Sequence, residues 1–437
     1  MFGREHIQMT ASGKRNFEAR ILVGLYLSLA LGGAAAVETK TFSGARIFDG
    51  TGKPVIENGT IVVRDGRIAA IGPSIKVKTP KGAQNIDLRG KTITPGLINT
   101  HGHVSDVEGK RTGATEEGVT NQLALFSRYG ITTVVSLGGE EPAAFKVRDG
   151  QATASLNRAR LYLAGSVITA KTPEEARQMV DKSAGPKPDF IKIRVDDNLG
   201  TTKKIPPEVY RAVIEQTHKR GLRLAAHYYY LDDAKDLVRS GADFLAHSVR
   251  DNPVDDEFIS LVKENDIPYC PTLTRELSTF VYEDTPAFFT DPFFLREASA
   301  QVMAGLKEPA RQQTYRTNKL GQAYKAALPT ARNNLKRLSG AGVRIVMGTD
   351  SGANASRFEG YFEHLEMQMM ADAGLSPAAI LMSATGGAAK ALKLDGIGTL
   401  EKGKWADIVV YDKNPLEDIG NTKSIVAVYI AGNEVRR

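Results

Sequence analysis

The amino-acid sequence predicts an α/β fold, namely a (β/α)8 TIM barrel with a small β-sandwich domain built from both chain ends. The first observation is that both ends of the chain have short alternating segments between glycine turns, a pattern typical of β structure. The second is that apolar strands alternate with longer helical patterns between these ends, as in βα units around a parallel sheet. We therefore expect sandwich segments at residues 37–94 and 396–437 and the barrel at residues 95–395.

The predicted barrel strands are short apolar runs separated by helical patterns. They are Gly96–His103, Thr132–Leu137, Arg160–Gly165, Asp189–Arg194, Leu222–His227, Asp243–His247, Ile267–Leu273 and Val343–Asp350. In a barrel of this kind the C-terminal ends of the strands meet at one face, which carries the active site. Functional side chains are therefore expected at the strand ends.

A long connection separates the seventh and eighth predicted strands, from about residue 274 to residue 340. It opens with aromatic residues and continues with a helical pattern. The aromatic residues are Phe280, Tyr282, Phe288, Phe289, Phe293 and Phe294. Two interpretations stay open: a lid or wall of a substrate pocket, or an additional packing helix.

The first 36 residues have the order of a secretory signal peptide. Basic residues precede the apolar run Ile21–Leu31, and small residues follow it up to Ala36. We expect cleavage after Ala36, export to the periplasm or the medium, and no stable membrane association afterwards. The alternative is an N-terminal membrane anchor, but the run is shorter than the roughly 20 residues that a membrane span needs.

Composition excludes several classes of protein. The formal net charge is +7 without dense basic runs, so we expect no nucleic-acid partner. Cys270 is the single cysteine, which excludes an internal disulfide, and its apolar neighbours predict an inert core residue. The glycines of SLGGE lack the G-x-G-x-x-G spacing of a nucleotide site, and the sequence has no G-x-S-x-G.

Four histidines end predicted barrel strands. His101 and His103 lie two residues apart, so their side chains point to the same face and can hold one cation together. His227 and His247 end two successive strands, one βα unit apart. A single histidine at a strand end is more often a core residue or a loop cap, but the repetition favours a metal site.

Two charged residues lie in apolar strands. Asp350 closes RIVMGTD, where a buried carboxylate needs a cation or hydrogen-bond partners. Lys192 lies within DFIKIRV, an unfavourable place for an ammonium group. The alternative to a functional role for Lys192 is a buried salt bridge, for example with Asp350.

These residues resemble those of a known superfamily, together with the segments ITPGLINTHGHV and GITTVVSLGG and the tail AGLSPAAILMSATGGAAKALKLDGIGTLEKGKWADIVVYDKNPLEDI. The resemblance is to the amidohydrolase superfamily, within it to imidazolonepropionase-related enzymes and metal-dependent Xaa-Pro dipeptidases. It covers nearly the whole chain after residue 37. It implies a (β/α)8 hydrolase that holds divalent metal ions at the strand ends.

The resemblance also implies a role for each ligand. His101 and His103 would hold the more buried of two metal ions, and His227 and His247 the more exposed one. Lys192 matches a lysine that is carboxylated in family members and bridges both ions as N6-carboxylysine. Zinc is the expected metal for histidine and carboxylate ligands.

The catalytic and substrate-binding residues follow from the same resemblance and from strand alternation. Asp350 would bind the inner ion and act as general base and acid in C–N cleavage. Tyr229 lies two residues after His227, where a tyrosine of the similar dipeptidases donates to the substrate carbonyl.

Two arginines are candidates for binding a substrate carboxylate. Arg194 lies two residues after Lys192 and so points into the same mouth. The alternative is that Arg194 pairs with Asp196 or Asp197. Arg250, three residues after His247, is a further candidate.

The predicted function is a binuclear metal-dependent hydrolase that cleaves an amide bond in a small-molecule substrate, a dipeptide of Xaa-Pro type or an N-acyl amino acid. One alternative is a hydrolase of a bulky aromatic amide, lactone, lactam or carbamate on the same site. Another is a non-catalytic metal-binding barrel, which would be expected to have lost a ligand. We expect the protein to be a homo-oligomer.

Overall fold

The structure is a computed structural model that describes residues 39–104 and 115–436. The predicted signal peptide, residues 1–36, lies outside the described residues, and so does the segment 105–114 that follows the first predicted barrel strand. Within the described ranges, no helix combines the length and the hydropathy that crossing a membrane requires.

The two ends of the described chain share one eight-stranded sheet. Its strands are β1 (Thr39–Ile47), β2 (Ile56–Arg64), β3 (Arg67–Pro73), β4 (Gln84–Asp87), β5 (Thr92–Pro95), β14 (Ile408–Tyr411), β15 (Ile425–Ile430) and β16 (Asn433–Glu434). β5 pairs antiparallel with β14, with Thr94 opposite Val409. The N-terminal and C-terminal strands therefore meet inside the sheet, about 300 residues apart in sequence.

Alternation of side chains gives this sheet its core. Phe42 of β1, Ile61 and Val63 of β2, and Ile408 and Val410 of β14 are fully or almost fully buried and belong to one apolar cluster. Because residues two apart on a strand share a face, these side chains all lie on one side of the sheet.

The middle of the chain forms two parallel sheets. One contains β6 (Leu97–Gly102), β7 (Ile131–Ser136) and β8 (Arg160–Leu163); the other contains β9 (Val167–Ile168), β10 (Phe190–Val195), β11 (Arg223–Tyr228), β12 (Phe244–Ala246) and β13 (Tyr269–Cys270). Nearly all of their residues are buried, as expected for parallel strands with covered faces. The predicted third strand, Arg160–Gly165, ends at Leu163 in the structure, and β9 follows after Gly165, whose φ is 75°.

The predicted eighth strand, Val343–Asp350, does not form a regular strand. It makes one isolated bridge from Ile345 to Tyr269, and Ser351 makes another to Gly102. Its extended backbone ends at Asp350, whose φ of 61° is left-handed.

Residues 344–351 nevertheless lie between β13 and β6. Tyr269 N donates to Arg344 O at 2.9 Å, and Thr100 N donates to Met347 O at 2.9 Å. Thr349 N donates to His101 O at 3.1 Å. These hydrogen bonds place Asp350 beside the end of β6.

Helices follow the strands along the chain. They are α1 (Glu116–Arg128), α2 (Pro142–Asp149), α3 (Pro173–Ala184), α4 (Pro207–Lys219), α5 (Leu231–Arg239), α6 (Asp256–Glu264), α12 (Tyr361–Asp372), α13 (Pro377–Ser383) and α14 (Gly386–Ala391). Local sequence explains their starts. Thr172 caps α3 by accepting from Glu175 N, and Pro173 occupies the first helical position, where its missing N–H costs no hydrogen bond.

The long connection after β13 is mostly helical, in agreement with the helical pattern in the sequence of its later part. It contains α7 (Leu273–Leu277), α8 (Pro292–Leu295), α9 (Ala300–Lys307), α10 (Pro309–Thr317) and α11 (Lys319–Gly340), with 3-10 turns at Val281–Glu283 and Ala287–Thr290. Its aromatic opening packs inward. Phe289 stacks on Phe294 with ring centroids 5.5 Å apart, and Phe294 meets Phe358 edge-on at 4.8 Å. The connection therefore supports the loop that follows Asp350.

Candidate metal centre

The end of β6 and the segment after Gly348 bring three ligand-type side chains together. Ligand atoms of His101, His103 and Asp350 all lie within 4.8 Å of one another. His103 Nε2 is 2.7 Å from Asp350 Oδ1, and His101 Nε2 is 3.5 Å from the same oxygen. The side chains of these residues are between 1% and 13% exposed, so the cluster is shielded from water.

Unusual backbone conformations fix this cluster. Asp350, with its left-handed φ, donates its N–H to His101 O at 2.6 Å. His247, which ends the strand region of β12, also has a left-handed φ, of 82°. Left-handed conformations are rare for residues with a Cβ and are concentrated at functional sites.

The hydrogen bonds of His103 determine which ring nitrogen is open. Nδ1 lies 3.1 Å from Gly138 O, and because a carbonyl oxygen only accepts, Nδ1 carries the hydrogen. Nε2 then directs a lone pair at Asp350 Oδ1 across 2.7 Å. Two electron-rich atoms at this distance require a proton or a cation between them. An imidazole and a carboxylate are ligands that divalent zinc accepts, so the residues fit a metal ion.

Lys192, His247 and His227 adjoin this cluster. Lys192 Nζ is 3.4 Å from His101 Nε2, and the His247 ring lies 4.7 Å from the His101 ring. The His227 ring in turn lies 4.3 Å from that of His247. The six predicted ligands thus form one continuous group. Over residues 39–104 and 115–436, however, only His101, His103 and Asp350 meet the distances of a histidine and carboxylate metal cluster.

The ion pairs also bear on the alternative interpretation of Lys192. Asp350 pairs with the Arg357 guanidinium through Oδ2, and no ion pair between Lys192 and Asp350 is found in the described part of the chain. Lys192 is 4% exposed, so its ammonium form would be buried beside an imidazole. This environment favours a functional role over a simple salt bridge.

His227 and His247, the other two predicted ligand histidines, each form a hydrogen bond through one ring nitrogen. His227 Nε2 lies 2.7 Å from Asp196 Oδ2, so Nε2 donates and Nδ1 keeps a lone pair. His247 Nδ1 lies 2.7 Å from Thr272 Oγ1. Partners of this kind fix the orientation and tautomer of metal-binding histidines.

Burial lowers the pKa of three histidines, His101, His227 and His247, and of Lys192. Desolvation lowers the pKa of His227 to about 3 and puts the pKa of His101 and of His247 well below 6.5. These rings are neutral at physiological pH, the form that binds a cation. Desolvation also lowers the pKa of Lys192 to about 8, which makes its neutral amine accessible.

Asp350 stays ionised in spite of its burial. Desolvation raises its pKa, but the charge of Arg357 counters this and is the main cause that holds the pKa well below 3.8. Arg357 is itself held, because its Nε donates to Ser278 Oγ at 3.0 Å. Sequence reasoning missed Arg357, since nothing in its spacing from Asp350 marks it.

From the sequence, Asp196 is expected only as a partner of Arg194. The structure shows that it also binds His227, with a side chain that is 0% exposed. Burial alone would raise the pKa of Asp196, but the hydrogen bond and charge of His227 outweigh it and lower the pKa below 3.8. The signal that could have revealed it is its position just after β10, beside β11, where Arg194 lies opposite His227.

The predicted substrate-binding residues occupy different environments. The Tyr229 ring lies 5.9 Å from that of Tyr324, and burial raises the pKa of Tyr229 to about 12, so its hydroxyl is a donor at neutral pH. Arg250 is fully buried behind it, with Cζ 4.6 Å from the Tyr229 ring and Nη1 donating to Ser248 O at 2.6 Å.

Arg194 is the exposed arginine of this set, with 44% of its side chain accessible. Its Nη2 lies 3.5 Å from Asp196 Oδ2 and also contacts Asn198 Oδ1. The alternative pairing with Asp196 is therefore present, without burying the guanidinium.

Comparison with known structures defines the class of the fold. The chain superposes on the crystal structure of a Xaa-Pro dipeptidase with bound methionine in the active site, with a TM-score of 0.73 and 21% identity over 91% of this chain and 99% of that one. This and other amidohydrolase neighbours identify the fold as an α/β TIM-barrel fold.

Sequence comparison then defines the family. The model of the amidohydrolase family matches residues 92–435, and the chain belongs to that family. It is 23% identical to an imidazolonepropionase of Geobacillus sp. (strain WCH70) over 82% of this chain and 84% of that protein. It is 30% identical to an enamidase of Eubacterium barkeri, but that match spans only 44% of this chain and 52% of the enamidase.

The predicted superfamily is thereby confirmed, and the chain is an amide-hydrolysing enzyme. Members of the family generally use divalent metal ions, and the cluster of His101, His103 and Asp350 is of the kind that holds one.

Proposed function

We propose that this chain is a binuclear metal-dependent hydrolase that cleaves the amide bond of a dipeptide, of Xaa-Pro type, or of an N-acyl amino acid. The observation that carries the proposal is the buried cluster of His101, His103 and Asp350 with Lys192 Nζ at 3.4 Å from His101. The enamidase and imidazolonepropionase relatives support C–N bond chemistry. The Xaa-Pro dipeptidase neighbour motivates the choice of substrate.

Two metal ions, zinc in our proposal, would be held by neighbouring residues. His101, His103 and Asp350 would bind the first and His227 and His247 the second, with Lys192 bridging both as N6-carboxylysine. The neutral amine of Lys192 can add carbon dioxide and release one N–H proton to solvent, which gives a carbamate with anionic oxygen ligands. When bound, the ions would acidify water and polarise the substrate carbonyl.

Asp350 would move the proton. Its carboxylate takes the proton of the attacking water and returns it to the leaving nitrogen, while the contact of Arg357 with Oδ2 keeps the carboxylate oriented. Because the pKa of Asp350 lies well below 3.8, the carboxylate is ionised before the reaction begins.

The substrate would be oriented by three further side chains. The Tyr229 hydroxyl donates to the substrate carbonyl oxygen, and Arg250 supports the Tyr229 ring from behind. Arg194 at the exposed mouth binds the substrate carboxylate. A direct contact between Arg250 and substrate stays a prediction.

We also propose that the two parallel sheets and residues 344–351 close into one (β/α)8 barrel, and that the terminal sheet folds as a small sandwich. Three hydrogen bonds support closure: Thr100 N to Met347 O, Tyr269 N to Arg344 O, and Asp189 N, just before β10, to Leu163 O of β8 at 2.8 Å. Export through residues 1–36 and a homo-oligomeric state stay predictions.

A hydrolysis panel tests the proposed function. Metal-loaded protein would be assayed for amine release from Xaa-Pro dipeptides and N-acyl amino acids, beside aromatic amides, lactones, lactams and carbamates. We expect turnover of the first two classes and a kcat lower by roughly 10²–10⁴-fold in Asp350→Asn, because proton transfer is lost. Asp395→Asn, an exposed acid elsewhere, is the matched control.

The panel also separates the alternatives. Turnover confined to lactones, lactams, carbamates or aromatic amides would replace the proposed substrate class and keep the site. No turnover of any class by metal-loaded protein would favour a non-catalytic barrel.

A further inference from the structure

A cavity opens at the carboxyl ends of β9 and β10, and its lining includes Asp196, the hydrogen-bond partner of His227. Its volume is about 710 Å³, within the roughly 300–1,000 Å³ of small-molecule sites. Ile168, Ala170, Ile205 and Pro206 give it apolar walls. It is therefore large enough and apolar enough to hold the stem of a small ligand.

The charged groups along the cavity are mostly basic. Lys171 and Lys203 are exposed on its lining, and over the described ranges neither forms an ion pair. Lys204 is neutralised by Asp233 at 2.9 Å. Asp196 also lines the cavity, but its carboxylate is buried and already bound to His227. The cavity thus carries an excess of positive charge that an anionic group would balance.

Arg194 joins the cavity to the metal centre. It lies on β10 two residues after Lys192, in register with His227 of β11. Its contacts with Asp196 and Asn198 both use Nη2. In the described part of the chain, Nε and Nη1 make no hydrogen bond, so Arg194 keeps N–H donors for an anionic group.

A turn that includes Asn198 borders the cavity. Asn198, Leu199 and Gly200 have φ values of 49°, 57° and 81°, so three successive left-handed residues turn the chain. Asn198 N donates to Asp196 Oδ1 at 2.8 Å, which ties this turn to the residue that holds His227.

We propose that this cavity is the carboxylate subsite of the enzyme, in which Arg194, Lys171 and Lys203 bind a substrate carboxylate and the apolar wall receives its stem. The inference rests on the proposed function and deepens it. It assigns the substrate class as amides that carry a carboxylate on a short apolar stem. Lys171 and Lys203 had no distinguishing pattern in the sequence.

The test uses two ligands that the enzyme cannot hydrolyse. Hexanoate and hexanol share an apolar stem and differ in the carboxylate, and their affinities for the metal-loaded full chain can be measured by ligand-observed NMR titration. We expect tighter binding of hexanoate by the wild type. The double variant Lys171→Met, Lys203→Met should weaken hexanoate binding about tenfold, since two charge-assisted contacts are lost, and leave hexanol binding unchanged.

Lys81→Met is the matched control, because Lys81 is equally exposed but does not line the cavity. An equal loss in the control, an equal loss for hexanol, or unchanged hexanoate binding in the double variant would overturn the subsite. The hydrolysis panel is read separately. Amide turnover without this binding pattern overturns the subsite alone, and the pattern without amide turnover supports the subsite and overturns the proposed reaction.

Discussion

Two of the predicted ligand histidines, His103 and His227, each have one ring nitrogen held by a protein partner, which leaves the other nitrogen with its lone pair. Gly138 O holds His103 Nδ1, and Asp196 holds His227 Nε2. The partner determines which nitrogen keeps its lone pair, and so which atom binds a metal ion. Asp196 acts in this way as a positioning residue for His227.

Asp196→Ala tests that role. Without its partner, His227 loses its fixed orientation and tautomer, and we expect zinc affinity to fall by roughly 10–100-fold. Asp196→Asn keeps an acceptor near His227 Nε2 and should lose less. Competition with a chromogenic chelator measures both affinities, and an Asp196→Ala variant with wild-type zinc affinity would contradict the role.

At the scale of elements, residues 344–351 hydrogen-bond to both β13 and β6, and they also place Asp350 beside His101. Gly348 has no room for a side chain, because a Cβ there would lie 2.5 Å from Cys270 Sγ and 2.9 Å from His101 N. This close approach allows His101 and Asp350 to converge.

Gly348→Ala should therefore damage both stability and the metal site. We expect a loss of about 1–3 kcal/mol in the free energy of unfolding, as for other overpacked cores, together with fewer bound metal ions. Gly340→Ala, at the end of α11, meets no atom within 4 Å and serves as control. Urea unfolding and elemental analysis of both variants give the comparison, and identical behaviour would refute the steric account.

The same segment shows what the sequence can and cannot predict. Strand-end position and two-residue spacing were enough to propose His101 and His103 as a pair. Hydropathy also located the segment Val343–Asp350, but not its irregular backbone, because apolar content carries no signal for a left-handed φ at Asp350. The roles of Asp196 and Arg357 escaped prediction for different reasons: the partner of Asp196, His227, lies on another strand, and the spacing of Arg357 from Asp350 marks no contact.

At the scale of the whole molecule, a buried ion pair ties the C-terminal segment to the parallel sheet. Arg160 of β8 donates to both oxygens of Asp407, at 2.7 and 3.1 Å, and both side chains are at most 4% exposed. Asp407 Oδ1 also accepts from Ala431 N at 2.8 Å. The alternating apolar pattern of the two chain ends predicted their β structure, but it could not predict this link.

Asp407→Ala leaves the Arg160 guanidinium buried without its partner. We expect the free energy of unfolding to fall by about 3–5 kcal/mol. Asp412→Ala removes an exposed partner of Lys91 five residues further on, and should change stability little. The midpoints of urea unfolding measure this difference. Equal midpoints for the two variants would mean that the buried ion pair does not stabilise the fold.

The central claim, a binuclear site bridged by a carboxylated lysine, is tested most directly by counting metal ions per chain. Elemental analysis would compare wild type and Lys192→Ala, each prepared with bicarbonate near pH 8, where the pKa of Lys192 makes the neutral amine abundant. We expect about two ions per wild-type chain, and a lower count with lost amide turnover in the variant. A single ion per chain, unchanged by Lys192→Ala, would contradict the bridging role of Lys192 and the binuclear mechanism with it.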